Sequence, residues 1–123
     1  MGIDYIALFV DDVERSIVFY RDLLGLEFPK PPKNGGTEGI SGNLKLGIYD
    51  RTWLVKLFGD RLESHQAGHA FLLSLPVADL GAFYQTLVTA GVEIVSPPKK
   101  MPWGQEIVFF KDPDGNLLEA VQA

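Results

Sequence analysis

The sequence predicts an α+β fold of two βαβββ modules that pair into a curved mixed sheet around a central cavity. Three observations predict it. Two apolar runs, "YIALFV" and "FLLSLPV", are each followed by a stretch with the apolar spacing of an amphipathic helix. Each of those stretches opens on an aspartate and closes on a glycine, Asp12 to Gly25 and Asp79 to Gly91, and the two spans agree to within a residue. Further strand-like runs then follow in each half. A supersecondary unit used twice usually cannot bury its own sheet face, so the copies are expected to pair and close a common cavity.

The elements can be justified in order. "YIALFV" is rich in aromatic and β-branched residues and reads as a buried strand. The helix after it places Val13, Ile17, Tyr20 and Leu24 on one face. "LEF", "NLKLGIY" and "WLVKLFG" read as the three remaining strands of the first module. The segment "PKPPKNGGTEGISG" holds too many Pro and Gly for a regular element and is assigned to a long loop at the cavity mouth. The polar stretch "GDRLESHQAG", about residues 59–68, is the connector. In the second module "FLLSLPV" is the first strand, "ADLGAFYQTLVTAG" the helix, and "VEIV", "EIVFF" and "NLLEAV" the later strands. "SPPKKMPWGQ" is the second mouth loop. "DPDGN" is a turn, in which Pro fixes φ, Gly permits a positive φ and Asp caps the backbone. Residues 1–123 then form one domain, with modules at about 1–58 and 69–123.

With 46% apolar and 22% charged residues, a chain of 123 residues has ordinary globular composition. A net charge of -5, with Lys99 and Lys100 the only basic pair, argues against nucleic acid. Neutral or cationic small molecules suit that charge better than acidic partners do. The absence of cysteine excludes disulfides, thiolate zinc sites and a cysteine nucleophile. No apolar run approaches the roughly 20 residues that cross a bilayer, and the N-terminus has an acid, Asp4, in place of a basic region. A cytoplasmic protein with no membrane association is expected. "KNGGTEG" lacks the lysine-plus-hydroxyl ending of a phosphate-binding loop, and Ser16, Ser64 and Ser74 have no nucleophile-elbow context.

"IDYIALFVDDVERSIVFYRDLLGLEF" together with "MPWGQEIVFFKDPDGNLLEAVQ" resembles the glyoxalase/bleomycin-resistance/extradiol-dioxygenase group, the vicinal oxygen chelate superfamily, over essentially the whole chain. The resemblance implies a homodimer and, in metal-using members, a divalent ion held by His and carboxylate side chains of the inner strands. Those ligand positions fall here on Tyr5, on Leu72, on Val55 or Leu57, and on Glu119. Only Glu119 is an ordinary metal-binding type. His69 belongs on the strand face opposite Leu72, and His65 lies in the polar connector. No metal and no cofactor is therefore expected.

Strand alternation instead lines the cavity with aromatics. Tyr5, Phe9, Tyr49, Trp53 and Phe110 are the candidate ligand-binding residues, with Trp103 on the mouth loop and Glu119 as the one carboxylate. A carboxylate facing an apolar cavity must be solvated, paired or protonated, so water or a cationic or donor group on a ligand would satisfy it. The expected function is a small-molecule-binding protein of the glyoxalase/bleomycin-resistance type that holds a flat neutral or cationic compound without a catalytic metal. One alternative is a metal-dependent lyase, isomerase or dioxygenase, with His69 or a partner chain completing the site. Another is a metal-free enzyme using Tyr5 or Glu119 as general acid or base.

Overall fold

A computed structural model describes residues 2–60 and 71–123 of the chain. It falls into two compact units, Met1–Gln66 and Ala67–Ala123. The first unit runs β1 (Tyr5–Val10), α1 (Val13–Ile17) with a π-wound continuation (Val18–Leu23), β2 (Gly36–Ser41), β3 (Leu44–Asp50) and α2 (Thr52–Phe58). Its sheet has the order β1-β3-β2, with β1 parallel and β2 antiparallel to β3. Asp12 starts α1 as its sequence position suggests: the residue is extended and its carboxylate accepts the Arg15 N–H at 3.0 Å. Leu8, Val10, Leu46 and Ile48 form the buried sheet face, and Ile17, Phe19 and Tyr20 of the helical segment are buried as well.

Three expectations for this unit are corrected. "WLVKLFG" is the helix α2 rather than a fourth strand. A short apolar run satisfies both periods, and here the local cap decides: the Asp50 carboxylate accepts the Thr52 N–H at 2.8 Å and turns the chain out of β3. The Pro/Gly segment, in turn, is only partly a loop. Its second half is β2, entered through a turn at Asn34 (φ 55) and Gly35 (φ 78), with Lys33 N–H donating to the Gly36 carbonyl at 2.9 Å. Two successive positive φ values make the primed turn that matches strand twist, for which Asn-Gly is the preferred pair. "LEF" contributes only one bridge, Glu27 to Ile40.

The second unit is βαβββ: β4 (Leu73–Val77), α3 (Leu80–Thr89), β5 (Ile94–Lys100), β6 (Glu106–Lys111) and β7 (Leu117–Gln122), in the sheet order β4-β7-β6-β5. Asp79 caps α3 through the Ala82 N–H at 3.0 Å. Leu80 and Leu87 of α3 are buried, as are Val108, Phe110, Leu118 and Ala120 of the sheet. β5 extends into the expected second mouth loop; its prolines are tolerated because it is an edge strand whose pairing with β6 shifts register around Ser96. In the "DPDGN" turn the buried Asp112 carboxylate accepts the N–H groups of Asp114 and Asn116, both at 2.9 Å. The turn chemistry read from the sequence is the chemistry present. His65, His69 and most of the connector lie outside the described residues.

Candidate functional site

In the first unit, the register pairs Phe9 with Tyr49, Glu38 with Gly47, and Tyr5 and Ile40 with Lys45. Paired residues project to the same side of a sheet, so these side chains stand together on the face opposite the Leu8 and Ile48 core. The phenol oxygens of Tyr5 and Tyr49 are 2.5 Å apart. The ring of Phe9 lies 6.2 Å from that of Tyr49, tilted by 33°. Two glycines let these rings lie against the sheet: a Cβ at Gly47 would run into the Tyr5 hydroxyl and the Tyr49 ring, and one at Gly36 would strike the Tyr49 ring. The glycines are thus the floor of the recess.

Burial, followed by hydrogen bonds to Tyr49 and Glu38, raises the Tyr5 phenol above the usual tyrosine range. Tyr5 therefore keeps its proton well into the alkaline range, and either hydroxyl of the pair can be the donor. Beside the pair opens a cleft of about 430 Å³ lined by Tyr49, Glu38, Ile40, Lys30, Lys33 and Lys45, among others.

Of the residues expected to bind ligand, the structure brings Tyr5, Phe9 and Tyr49 together on this face. Trp53 stands on α2, where its indole N–H donates to the Asn34 carbonyl at 2.9 Å and the Lys56 ammonium lies 4.8 Å from the ring centroid. Trp103 and Glu119 belong to the second unit. Trp103 is 67% exposed in the β5–β6 connection and donates to the Gln105 side chain at 3.0 Å. Glu119 is half-buried on β7, opposite Phe109 on one side and Ser74 on the other.

Phe110 departs from expectation. It pairs with Leu118 and meets Phe83 of α3 edge-on, 5.9 Å between centroids, and is fully buried. Strand alternation then puts it on the helix-facing side, with Phe109 on the Glu119 side. Its expected place beside Glu119 is off by one residue of register. Glu38, Lys30 and Lys33 escaped the sequence reading because their segment was assigned to a loop, and Lys45, on an expected strand, was not read as part of a site. The signal that could have found Glu38 is the alternation of Thr37 and Gly39 with Glu38 and Ile40.

The positions that hold metal in metal-using relatives do not fit one among the described residues. Tyr5 is engaged with Tyr49, and Leu72 is an aliphatic side chain. Val55 and Leu57, expected to hold the ligand position on the last strand of this unit, lie on the helix α2 instead, so that assignment is corrected: the last strand is β3. No three His, Cys, Asp or Glu side chains converge among the described residues.

A family model described as Glyoxalase/Bleomycin resistance protein/Dioxygenase superfamily matches residues 2–120. YraH, an uncharacterized protein of Bacillus subtilis, is 30% identical over 119 residues, which cover 93% of this chain and 92% of YraH. The metallothiol transferase FosB of Shouchella clausii is 28% identical over 122 residues, 96% of this chain and 77% of that protein. Among solved structures, a protein of unknown function from Agrobacterium tumefaciens superposes with a TM-score of 0.79 at 29% identity, covering 100% of this chain and 94% of that one.

Proposed function

The chain belongs to the glyoxalase/bleomycin resistance protein/dioxygenase superfamily, and we propose that within it this protein binds a small molecule without a catalytic metal. The ligand is a flat compound, neutral or cationic overall, held over Tyr5, Phe9 and Tyr49. The observation that carries this reading is the tyrosine pair lying on a glycine floor. Gly36 and Gly47 leave room for rings on the sheet, and the Tyr5 and Tyr49 hydroxyls with the Glu38 carboxylate supply a compact polar grip beside them. A recess of mainly apolar walls with a few convergent polar groups is what small-ligand sites consist of.

Glu38 is the acceptor for a donor or cationic group on the ligand, and Glu119 plays the same part in the second unit. If the protein has an enzymatic step, the raised pKa keeps Tyr5 a neutral phenol that can hydrogen-bond a substrate oxygen, and makes it a poor group for full proton transfer. The metal-dependent alternative draws its support from the metallothiol transferase among the relatives.

Thermal unfolding against a panel of flat compounds tests the proposal. A ligand at one hundred times its Kd stabilises by about 2.7 kcal/mol, which shifts Tm by several degrees. The shift is expected to survive exhaustive chelation and to be lost in Tyr49→Ala. A panel without any hit, or a protein whose Tm and ligand response collapse on chelation, would overturn it.

A further inference from the structure

The cleft beside Tyr49 reverses the charge of the molecule around it. The chain as a whole carries a net charge of -5, yet the cleft lining contains Lys30, Lys33 and Lys45 against a single carboxylate, Glu38. None of the three ammonium groups has an ion-pair partner among the described residues. Like charges gathered around one concavity repel one another, and an arrangement of this kind is relieved by an anion.

The backbone that presents these lysines is anchored. Lys30 sits between Pro29 and Pro31, whose rings restrict φ, and its carbonyl accepts the buried Thr37 hydroxyl at 2.9 Å. Lys33 is held by its reciprocal backbone bonds with Gly36, at 2.9 and 3.2 Å, across the Asn34–Gly35 turn. Lys45 comes from β3, opposite both Tyr5 and Ile40. Three cations thus start from fixed points around a cleft of about 430 Å³, so little backbone freedom remains to be lost when a ligand arrives.

We infer that Lys30, Lys33 and Lys45 take an oxyanion of the ligand, a carboxylate or a phosphate ester, while its flat body lies over Tyr49 and its donor group reaches Glu38. Such a ligand is zwitterionic: an acid at one end and an amine at the other, joined by a planar ring. An amine and a carboxylate together leave it neutral overall, in keeping with the acidic chain, whereas a phosphate monoester in place of the carboxylate leaves an excess of about one negative charge. This inference rests on the small-molecule reading of the tyrosine face.

The test uses three probes that differ at one end only: 4-(aminomethyl)benzoate, 4-(aminomethyl)phenyl phosphate and 4-(aminomethyl)benzamide, titrated by calorimetry. Ion pairs of exposed lysines are individually weak, and the three together are expected to make at least one acid bind about tenfold tighter than the amide. That advantage is expected to shrink with added salt. It is expected to vanish in K30Q/K33Q/K45Q, whose affinity for the amide and whose Tm stay near those of the native protein. The tighter of the two acids identifies the oxyanion as carboxylate or phosphate. Equal binding of acid and amide, or an acid preference that survives in the triple variant, overturns the inference alone. Failure of all three probes to bind at millimolar concentration removes the small-molecule reading along with it.

Discussion

Tyr5 falls where the superfamily resemblance implies a metal ligand, and in the structure it is part of a hydrogen-bonded pair with Tyr49. The phenol shares a hydrogen bond with Tyr49 and keeps its proton beside Glu38. The raised pKa has a measurable consequence at alkaline pH. A folded state that holds the phenolic proton more tightly than the unfolded chain keeps that stabilisation below the ordinary tyrosine value, about 10, and loses it as pH rises above that value. Ultraviolet titration is expected to show one more late-ionising phenol in the native protein than in Tyr5→Phe, the buried Tyr20 being shielded in both. A native titration superimposable on that of Tyr5→Phe, after allowing for one fewer phenol, would mean that the pair does not shield Tyr5.

Among the elements, the β2 hairpin and α2 matter most for the site. The hairpin sets Glu38 beside Tyr5 and carries Lys33 at its turn, and Trp53 of α2 latches onto that turn through the Asn34 carbonyl. Gly35 combines a φ of 78° with the Trp53 indole nitrogen 3.1 Å from where a Cβ would sit. Gly35→Ala is therefore expected to destabilise the protein by about 1 kcal/mol or more, read as a lower urea midpoint at unchanged m, and to weaken ligand binding with it. Unchanged midpoint and affinity would show the latch to be dispensable. These elements were also the least legible ones. "WLVKLFG" fits strand and helix periods equally, and only the Asp50 cap on Thr52 separates them. "GGTEGIS" looks too glycine-rich for a strand until Tyr49 is found lying across Gly36.

For the whole molecule, the superfamily resemblance implies a homodimer, and each unit exposes large apolar side chains. Val55, Leu57, Phe71 and Val95 are all more than half exposed. Sedimentation at micromolar concentration is expected to show a dimer, and a clean monomer would remove that claim.

From the sequence alone came the order of elements in the second unit, the two aspartate caps, the glycine stops, the "DPDGN" turn and the superfamily. Each of these depends on chemistry within a few residues, where capping, turn preference and periodicity act. The tertiary structure decided which residues meet. Phe110 and Phe109 differ by one place in β6, yet one packs on α3 and the other shares a face with Glu119, because strand register alone assigns sides. Tyr5 and Tyr49 are 44 positions apart and no local rule joins them; the parallel pairing of β1 with β3 does. Lys30, Lys33 and Lys45 read along the chain as scattered charges in an acidic protein. They become one cationic cleft only because the β2 hairpin folds back beside β3, and long-range pairing of that kind leaves no periodic mark in the sequence.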